Sequence, residues 1–427
     1  MIFSLDVRRA RKGDCLLLHF GTKREPGLVM IDGGPGNVYA PHLKPRLLDI
    51  KRARKLDNNQ PLPVDLLMVS HVDDDHIRGI LDLTRDMIAT KQAPLVRVMS
   101  FWHNSFDDIV ANDAAGLTAA VAAQFGPASL AGELPADAAV DSEEEGEVVV
   151  DALKVLASIE QGHRLRGDAE RLGFPLNPEF DGKLILAGKK GVPVAEGLTF
   201  TVAGPMKPDV KKLQEKHEKW LNAQQKTKKS AGAALAAYVD KSVPNLSSIV
   251  VLAKSGGKSI LLTGDARGDK ILKGLELSGV LKPGGTIHVD VLKAPHHGSS
   301  NNVERDFFER ITADHYVFSG NGEHGNPERE TLEMLFSVRR GQPFEVHLTY
   351  PVAEIDVARR ADWQKEQAKE KKRKAAGNKK EPRESWSAAK HSLAAFLDKT
   401  ELAKGQRIII VDGKKPHVIN LLDALGY

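Results

Sequence analysis

Several apolar runs of five or six residues along the chain stop at Asp, His and Gly, and this repeated ending constrains the fold most. GLVMI runs into Asp32-Gly33-Gly34, VDLLMV into SHVDDDH (Ser70 to His76), KSILL into Thr263-Gly264-Asp265, and HVDVLK into the turn carrying His296, His297 and Gly298. Runs of this length, bounded by turn formers and apolar on both sides, read as strands of a buried sheet. IFSLDV, CLLLHF, LVRVMSFW, KLILAG, LTFTVAG, SSIVVLAK and HYVFSG extend the same pattern, while GILDLTRDMIA has helical spacing. Two strand-rich halves flanked by helices imply a layered α/β architecture with sheet in the middle.

Between the halves the composition changes. An alanine-rich stretch with the acidic run SEEEGE predicts a helical insertion over about residues 105–182, and a lysine-rich stretch predicts a second over about 206–240. The main domain is expected over residues 1–350. Residues 351–427 read as a charged linker and C-terminal extension whose apolar pieces SLAAFL, RIIIV and VINLL pack back on the body. A chain of 427 residues can bury a sizeable core even with such insertions.

Cys15 is the single cysteine, which excludes an intramolecular disulfide and a cysteine-based zinc cluster; inside CLLLHF it is expected to be buried. No apolar stretch has bilayer-spanning length and no leader pattern is present, so the expectation is a cytoplasmic protein. The net charge of +4 is small, yet basic residues cluster at 207–229 and 359–383. Such clusters suit a solvated helix face, or nucleic acid bound through its phosphates. Aromatic residues are only 5%, which argues against extensive base stacking.

SHVDDDH carries the chemistry. Residues two apart on an extended strand point the same way, so His71 and Asp73 can approach one ion, and the following turn can bring Asp75 and His76 to a second. Zinc accepts imidazole and carboxylate together, and each carboxylate in place of histidine moves a site toward harder ions such as manganese. Asp32 is followed by two glycines that let backbone pass close to a ligand. Asp265 is placed to bridge two ions, the His296-His297 turn continues into Ser299, and His324 lies in a glycine-rich loop suited to reach over an open site. Asn245 and Ser247 in NLSSIV either cap a strand end or touch substrate. Asp14 in KGDC reads as a turn residue, and His103 and His163 as ordinary core or surface histidines.

The ordered set GDC, DGG, SHVDDDH, NLSSIV, TGD, APHHGS and SGNGEHGNP resembles the metallo-β-lactamase superfamily, in particular the hydrolase domain of ComEC-type competence proteins, over Met1 to about Leu335. The resemblance implies an αββα sandwich with its metals at one edge. It assigns His71 and Asp73 to one ion, Asp75, His76 and His297 to the second, and Asp265 to a bridge. Asp32 would orient ligands from beneath, His296 and Ser299 would contact ligands or substrate, and Asp75, His324 and Asp32 would serve catalysis. Asp73 stands where many members have histidine, and no clear counterpart exists for the histidine that usually completes the first site. Two divalent ions, zinc ahead of manganese, are therefore expected, with a one-metal site as the alternative. The implied activity is metal-dependent hydrolysis, phosphodiester or nuclease substrates first, by water activated at neutral pH. Hydrolysis of a small phosphoester, carboxyl ester or lactone is the second reading. A non-catalytic, metal-containing nucleic-acid-binding or regulatory protein is the third.

Overall fold

The computed structural model describes residues 1–90, 92–105, 158, 160–188, 191–212, 214–215 and 247–427. Most of both expected insertions, and Asn245, lie outside the described residues. Helix appears at 160–172, where the sequence shows helical spacing.

The chain has the mixed α/β character that its apolar pattern predicts. The first sheet contains β1 (Ile2–Val7), β2 (Leu16–Gly21), β3 (Pro26–Ile31), β5 (Leu66–Met68), β7 (Phe101–Trp102) and β16 (His417–Asn420), in the order β16-β1-β2-β3-β5-β7. The second contains β8 (Val192–Ala195), β9 (Leu198–Gly204), β10 (Val250–Ser255), β11 (Lys258–Leu262), β12 (Ile287–Lys293), β13 (Ile311–Phe318), β14 (Phe344–Leu348) and β15 (Gln406–Ile410), in the order β15-β14-β13-β12-β11-β10-β9-β8. β4 (Leu62–Val64) and β6 (Val96–Val98) form a separate parallel pair. From β11 to β15 every neighbouring pair is parallel, so each connection must cross over.

Alternation along the strands explains the layers. Leu16 and Leu18 of β2 share a core with Phe200, Val251, Ile260 and Val291 of the second sheet, so the sheets pack face to face. Leu17, between them, turns to the other face and joins Leu47 and Ile50 of α1 (Lys44–Ala53) and Ile77 and Ile80 of α2 (Asp74–Ala89). On the far side of the second sheet, Leu261, Leu292 and Tyr316 pack against Ile271 and Leu275 of α3 (Gly268–Leu277), Phe307 and Phe308 of α4 (Arg305–Arg310), and Leu332 and Leu335 of α5 (Arg329–Val338). Cys15 is buried, and burial pushes its thiol well above the usual range.

Two readings of individual strands need correction. LVRVMSFW is not one strand: β6 and β7 are separate and belong to different sheets. KLILAG is not a strand at all. The Asn104 side-chain amide exchanges two hydrogen bonds of 2.9 Å with the Ile185 backbone, so the polar groups at the centre of this segment are met without a strand partner.

The C-terminal residues supply an edge strand to each sheet: β15 pairs with β14, and β16 with β1. Before them, after β14, comes α6 (Val352–Ala375), which packs on the loop holding His324. Gly322 of that loop lies so near α6 that a Cβ would sit 2.2 Å from the Ile355 carbonyl oxygen. No helix among the described residues is long and apolar enough to cross a membrane.

Candidate metal centre

Three loops close around the start of α2. Asp32 follows β3 in a left-handed conformation (φ +56°). A Cβ on Gly79 would fall 1.9 Å from the Gly33 carbonyl oxygen, so this crossing of turn and helix requires glycine. Gly33 N donates to the His76 carbonyl at 2.7 Å, and Gly79 N to the Gly34 carbonyl at 2.9 Å. The turn of Gly13 and Asp14 rides equally close, on the Asp75 carbonyl. From the second sheet, the turn after β12 places His296 and His297 at φ +46° and +55°, a strained region for bulky side chains. Two hydrogen bonds hold it there: His296 N to the Gly264 carbonyl at 3.1 Å and Asn326 Nδ2 to the His296 carbonyl at 3.2 Å.

These loops converge on Asp265, whose two oxygens face different partners. Oδ1 lies 3.2 Å from His76 Nε2 and 3.4 Å from His297 Nε2, with Asp75 Oδ2 3.9 Å from the same His297 nitrogen. Oδ2 lies 3.8 Å from His71 Nε2 and 3.5 Å from His296 Nε2, with Asp73 Oδ2 3.7 Å from His71. The Nε2 atoms of His71, His76 and His297, and Oδ1 of Asp265, are buried without a well-formed hydrogen bond. Buried polar atoms left so are rare, and a cation among them is the simplest partner. Imidazole and carboxylate donors fit zinc, or manganese where carboxylates dominate.

Hydrogen bonds behind the rings decide which nitrogen faces inward. Ser70 Oγ gives its only proton to Asp32 Oδ2 (2.7 Å), so it accepts from His71 Nδ1 (3.0 Å). Ser319 Oγ gives its proton to Asp14 Oδ1, so it accepts from His297 Nδ1 (3.0 Å). His76 Nδ1 lies 2.8 Å from Asp32 Oδ2, an oxygen that can only accept. Each ring is thus held with Nε2 toward Asp265, the tautomer a metal ligand needs.

The electrostatics agree. Burial alone would lower His76, but Asp265 and Asp32 on either side hold it well above its ordinary value, so the surroundings of this ring favour positive charge. Burial would raise Asp265, but the imidazoles of His296, His76 and His297 hold it well below the carboxylate range. Asp75 is likewise lowered, with His76 overcoming burial.

Asp14 is more than a turn residue. It is fully buried, Lys293 Nζ lies 2.6 Å from its Oδ2, and that ammonium overcomes burial to keep the carboxyl ionised well below its usual range. Asp14, His76, Asp265 and His297 each present an atom within 4.8 Å of the others. Asp14 nevertheless meets the Nδ1 side of His297 (3.5 Å) and of His76 (4.0 Å), and Lys293 already neutralises it. Its place is behind the ligands. Neither Lys293 nor Ser319 stood out in sequence, although both directly extend or follow strands that end at the site.

Other expected residues are placed as follows. His296, read as a contact to ligands or substrate, stands beside Asp265 Oδ2 on the His71 side, where a further ligand was missing. Asp74, between the ligand candidates Asp73 and Asp75, accepts from Gln161 Nε2 at 3.1 Å. Ser299 is buried, and its N–H closes the histidine turn on the His296 carbonyl. Ser247 is buried just before Ile249, whose N–H donates to the Ser70 carbonyl at 2.8 Å. His324 is exposed, with its Nε2 3.5 Å from Lys12 Nζ, and Lys12 helps to hold Asp75 ionised. His163 is exposed on the 160–172 helix, and His103 is buried against Phe101.

No family model matches the chain. Over 92 residues, 21% of its length, it is 33% identical to human (Homo sapiens) microtubule-associated protein 1A. Over 83 residues it is 34% identical to the same protein of Rattus norvegicus and of Mus musculus. Each match spans 3% of the relative's own length. Among solved structures, one described as "Putative metal-dependent hydrolase", from Parabacteroides distasonis, aligns over 81% of this chain and 98% of that one, with a TM-score of 0.32 and 8% identity. Likeness at that level carries no assignment.

Proposed function

We propose that the chain is a metal-dependent hydrolase of metallo-β-lactamase type, with phosphodiesters as its favoured substrates. One observation carries the reading: Asp265 turns its two oxygens toward two separate groups of inward-facing imidazole and carboxylate atoms. The order of layers, helices outside two sheets that share a core, supports the αββα sandwich.

In this reading His71, Asp73 and His296 serve one ion, His76, Asp75 and His297 serve the other, and Asp265 serves both. Divalent ions there would supply Lewis acidity and activate water near neutral pH. Asp32, Ser70, Ser319 and Asp14 keep the rings in the binding tautomer. Lys12 and His324 at the rim are suited to hold a phosphoryl oxygen, and His324 to pass a proton to a leaving group.

A polyanionic substrate, with nucleic acid the first case, is supported by the exposed cations Arg360 and Lys365, on the half of α6 nearer the His324 loop, and Lys371, Lys379 and Lys380 at and beyond its far end. Removing residues 359–383 would not test this, because the buried Arg359 donates to the Gly325 and His391 carbonyls at 3.0 and 2.7 Å and holds that loop. Charge reversal at Lys365, Lys371 and Lys379 is the cleaner change. It should lower the salt dependence of DNA or RNA binding by about one unit of log–log slope per lost phosphate contact.

The central test loads the full chain with zinc or manganese, measures metal content, and follows cleavage of bis-p-nitrophenyl phosphate and of labelled DNA and RNA. Asp265→Asn should lose both metal and turnover. Turnover that survives this change would refute Asp265 as its centre, and no cleavage of any of these substrates by the metal-loaded parent would refute the hydrolase reading. Cleavage confined to small esters and indifferent to salt would move the substrate to the ester class.

A further inference from the structure

Away from Asp265, a second set of imidazoles converges between the sheets, at the edge where β16 lies. Along β13, Tyr316 and Phe318 face the helices and Val317 faces the other sheet, so alternation turns His315 inward with Val317. In β14, Val346 and Leu348 face the helices, which turns Glu345 and His347 inward. His315 and Glu345 are direct partners in the parallel register, and Glu345 is in turn the partner of Arg407 on β15.

Three atoms meet there. His315 Nδ1 is 3.1 Å from His347 Nε2 and 3.2 Å from Glu345 Oε2, and His347 Nε2 is 3.6 Å from the same oxygen. An ion bound tetrahedrally at about 2.0–2.1 Å requires its ligand atoms to stand about 3.3–3.4 Å apart, close to this triangle. Protons serve the triangle less well, since the carboxylate oxygen has none to give and each neutral ring carries only one.

The surroundings are those of a supported site. His347 Nδ1 lies 3.0 Å from His417 Nε2 on β16, a partner that turns His347 Nε2 toward the triangle. Arg407 holds the other oxygen of Glu345. His347 is buried, whereas His315 and Glu345 keep 22% and 13% of their side-chain surface, which leaves one side open to solvent.

We propose that His315, His347 and Glu345 form a second zinc site, separate from the Asp265 centre, with His417 as its positioning residue and a water completing the ion's coordination. Such a site clasps β13 to β14 and, through His417, ties the second sheet to the edge strand of the first. It stands independently of the hydrolase reading.

The test uses the full chain in an Asp265→Asn/His76→Ala background, which disables the other centre, and then adds His315→Ala or Glu345→Gln. Zinc retained after dialysis, the ligand-field bands of cobalt(II) and the zinc-dependent rise in Tm are measured. The background should keep one equivalent of zinc and tetrahedral cobalt bands, and each added change should abolish both along with the Tm rise. His417→Ala should weaken zinc about 10–100-fold without abolishing it. Glu345→Gln keeps the shape of the side chain and guards against a His315→Ala chain that fails to fold. Equal zinc retention in the background and in folded Glu345→Gln, or no zinc in either, would overturn the proposal and leave a hydrogen-bonded row of histidines.

Discussion

The two imidazole–carboxylate clusters are built on opposite plans. Around Asp265 the side chains come from loops at strand ends and from the first turn of α2, with His71, His76, Asp265 and His297 buried and Asp73, Asp75 and His296 half-buried, and they are backed by Asp32, Ser70, Ser319 and Asp14. The His315 cluster is half-buried to a similar degree but comes from the middle of paired strands, and is backed by His417 and the exposed Arg407. Loops can aim several groups at one point and move them apart to admit a substrate, whereas strands hold their groups at the fixed spacing of the ladder. The first plan suits chemistry and the second suits a clasp.

The largest effect should separate the clusters by activity. Asp265→Asn is expected to lower phosphodiester turnover by about 10³-fold or more, because charge stabilisation of several kcal/mol is lost, while His315→Ala leaves turnover within about twofold. Equal losses would erase the division. Next comes stability. Lys293→Met strands the buried Asp14 carboxylate and should cost about 3–5 kcal/mol in urea unfolding. Arg407→Met, at a residue 72% exposed, should cost no more than about 1 kcal/mol.

A smaller effect probes the backing groups of the first cluster. Ser319→Ala removes the acceptor for His297 Nδ1 and should weaken metal binding about 10–100-fold, read by competition with a chelator, with the fold retained. A further effect, confined to acid pH, comes from a histidine outside both clusters. Burial holds His19 below its ordinary value despite Asp6, so the folded chain keeps it neutral while the unfolded chain takes up a proton below about pH 6.5. Its contribution is present above that pH and is lost as pH falls. Between pH 7 and 5 the loss of stability should be smaller in His19→Gln than in the parent, by at most about 2 kcal/mol. An unchanged slope would mean that His19 is already protonated in the fold.

Much of the first cluster was legible in sequence because its signals are local. SHVDDDH puts a strand end, an N-cap and four ligand candidates within seven residues, and the apolar run before it announces the strand. The role of Asp14 was hidden because its partners, Lys293 and Ser319, lie far along the chain in another sheet. KLILAG misled because an apolar run cannot reveal that a distant asparagine will satisfy its backbone.

By itself, the order of residues determined the alternation that buries both sheets and the turns at which chemistry gathers, since both depend on neighbours a few positions apart. Tertiary structure alone decided that His296 stands on the His71 side of Asp265, and that His315, Glu345, His347 and His417 meet at all. Those contacts depend on strand register and on the stacking of two sheets, which the whole chain's packing selects and no short stretch of it encodes.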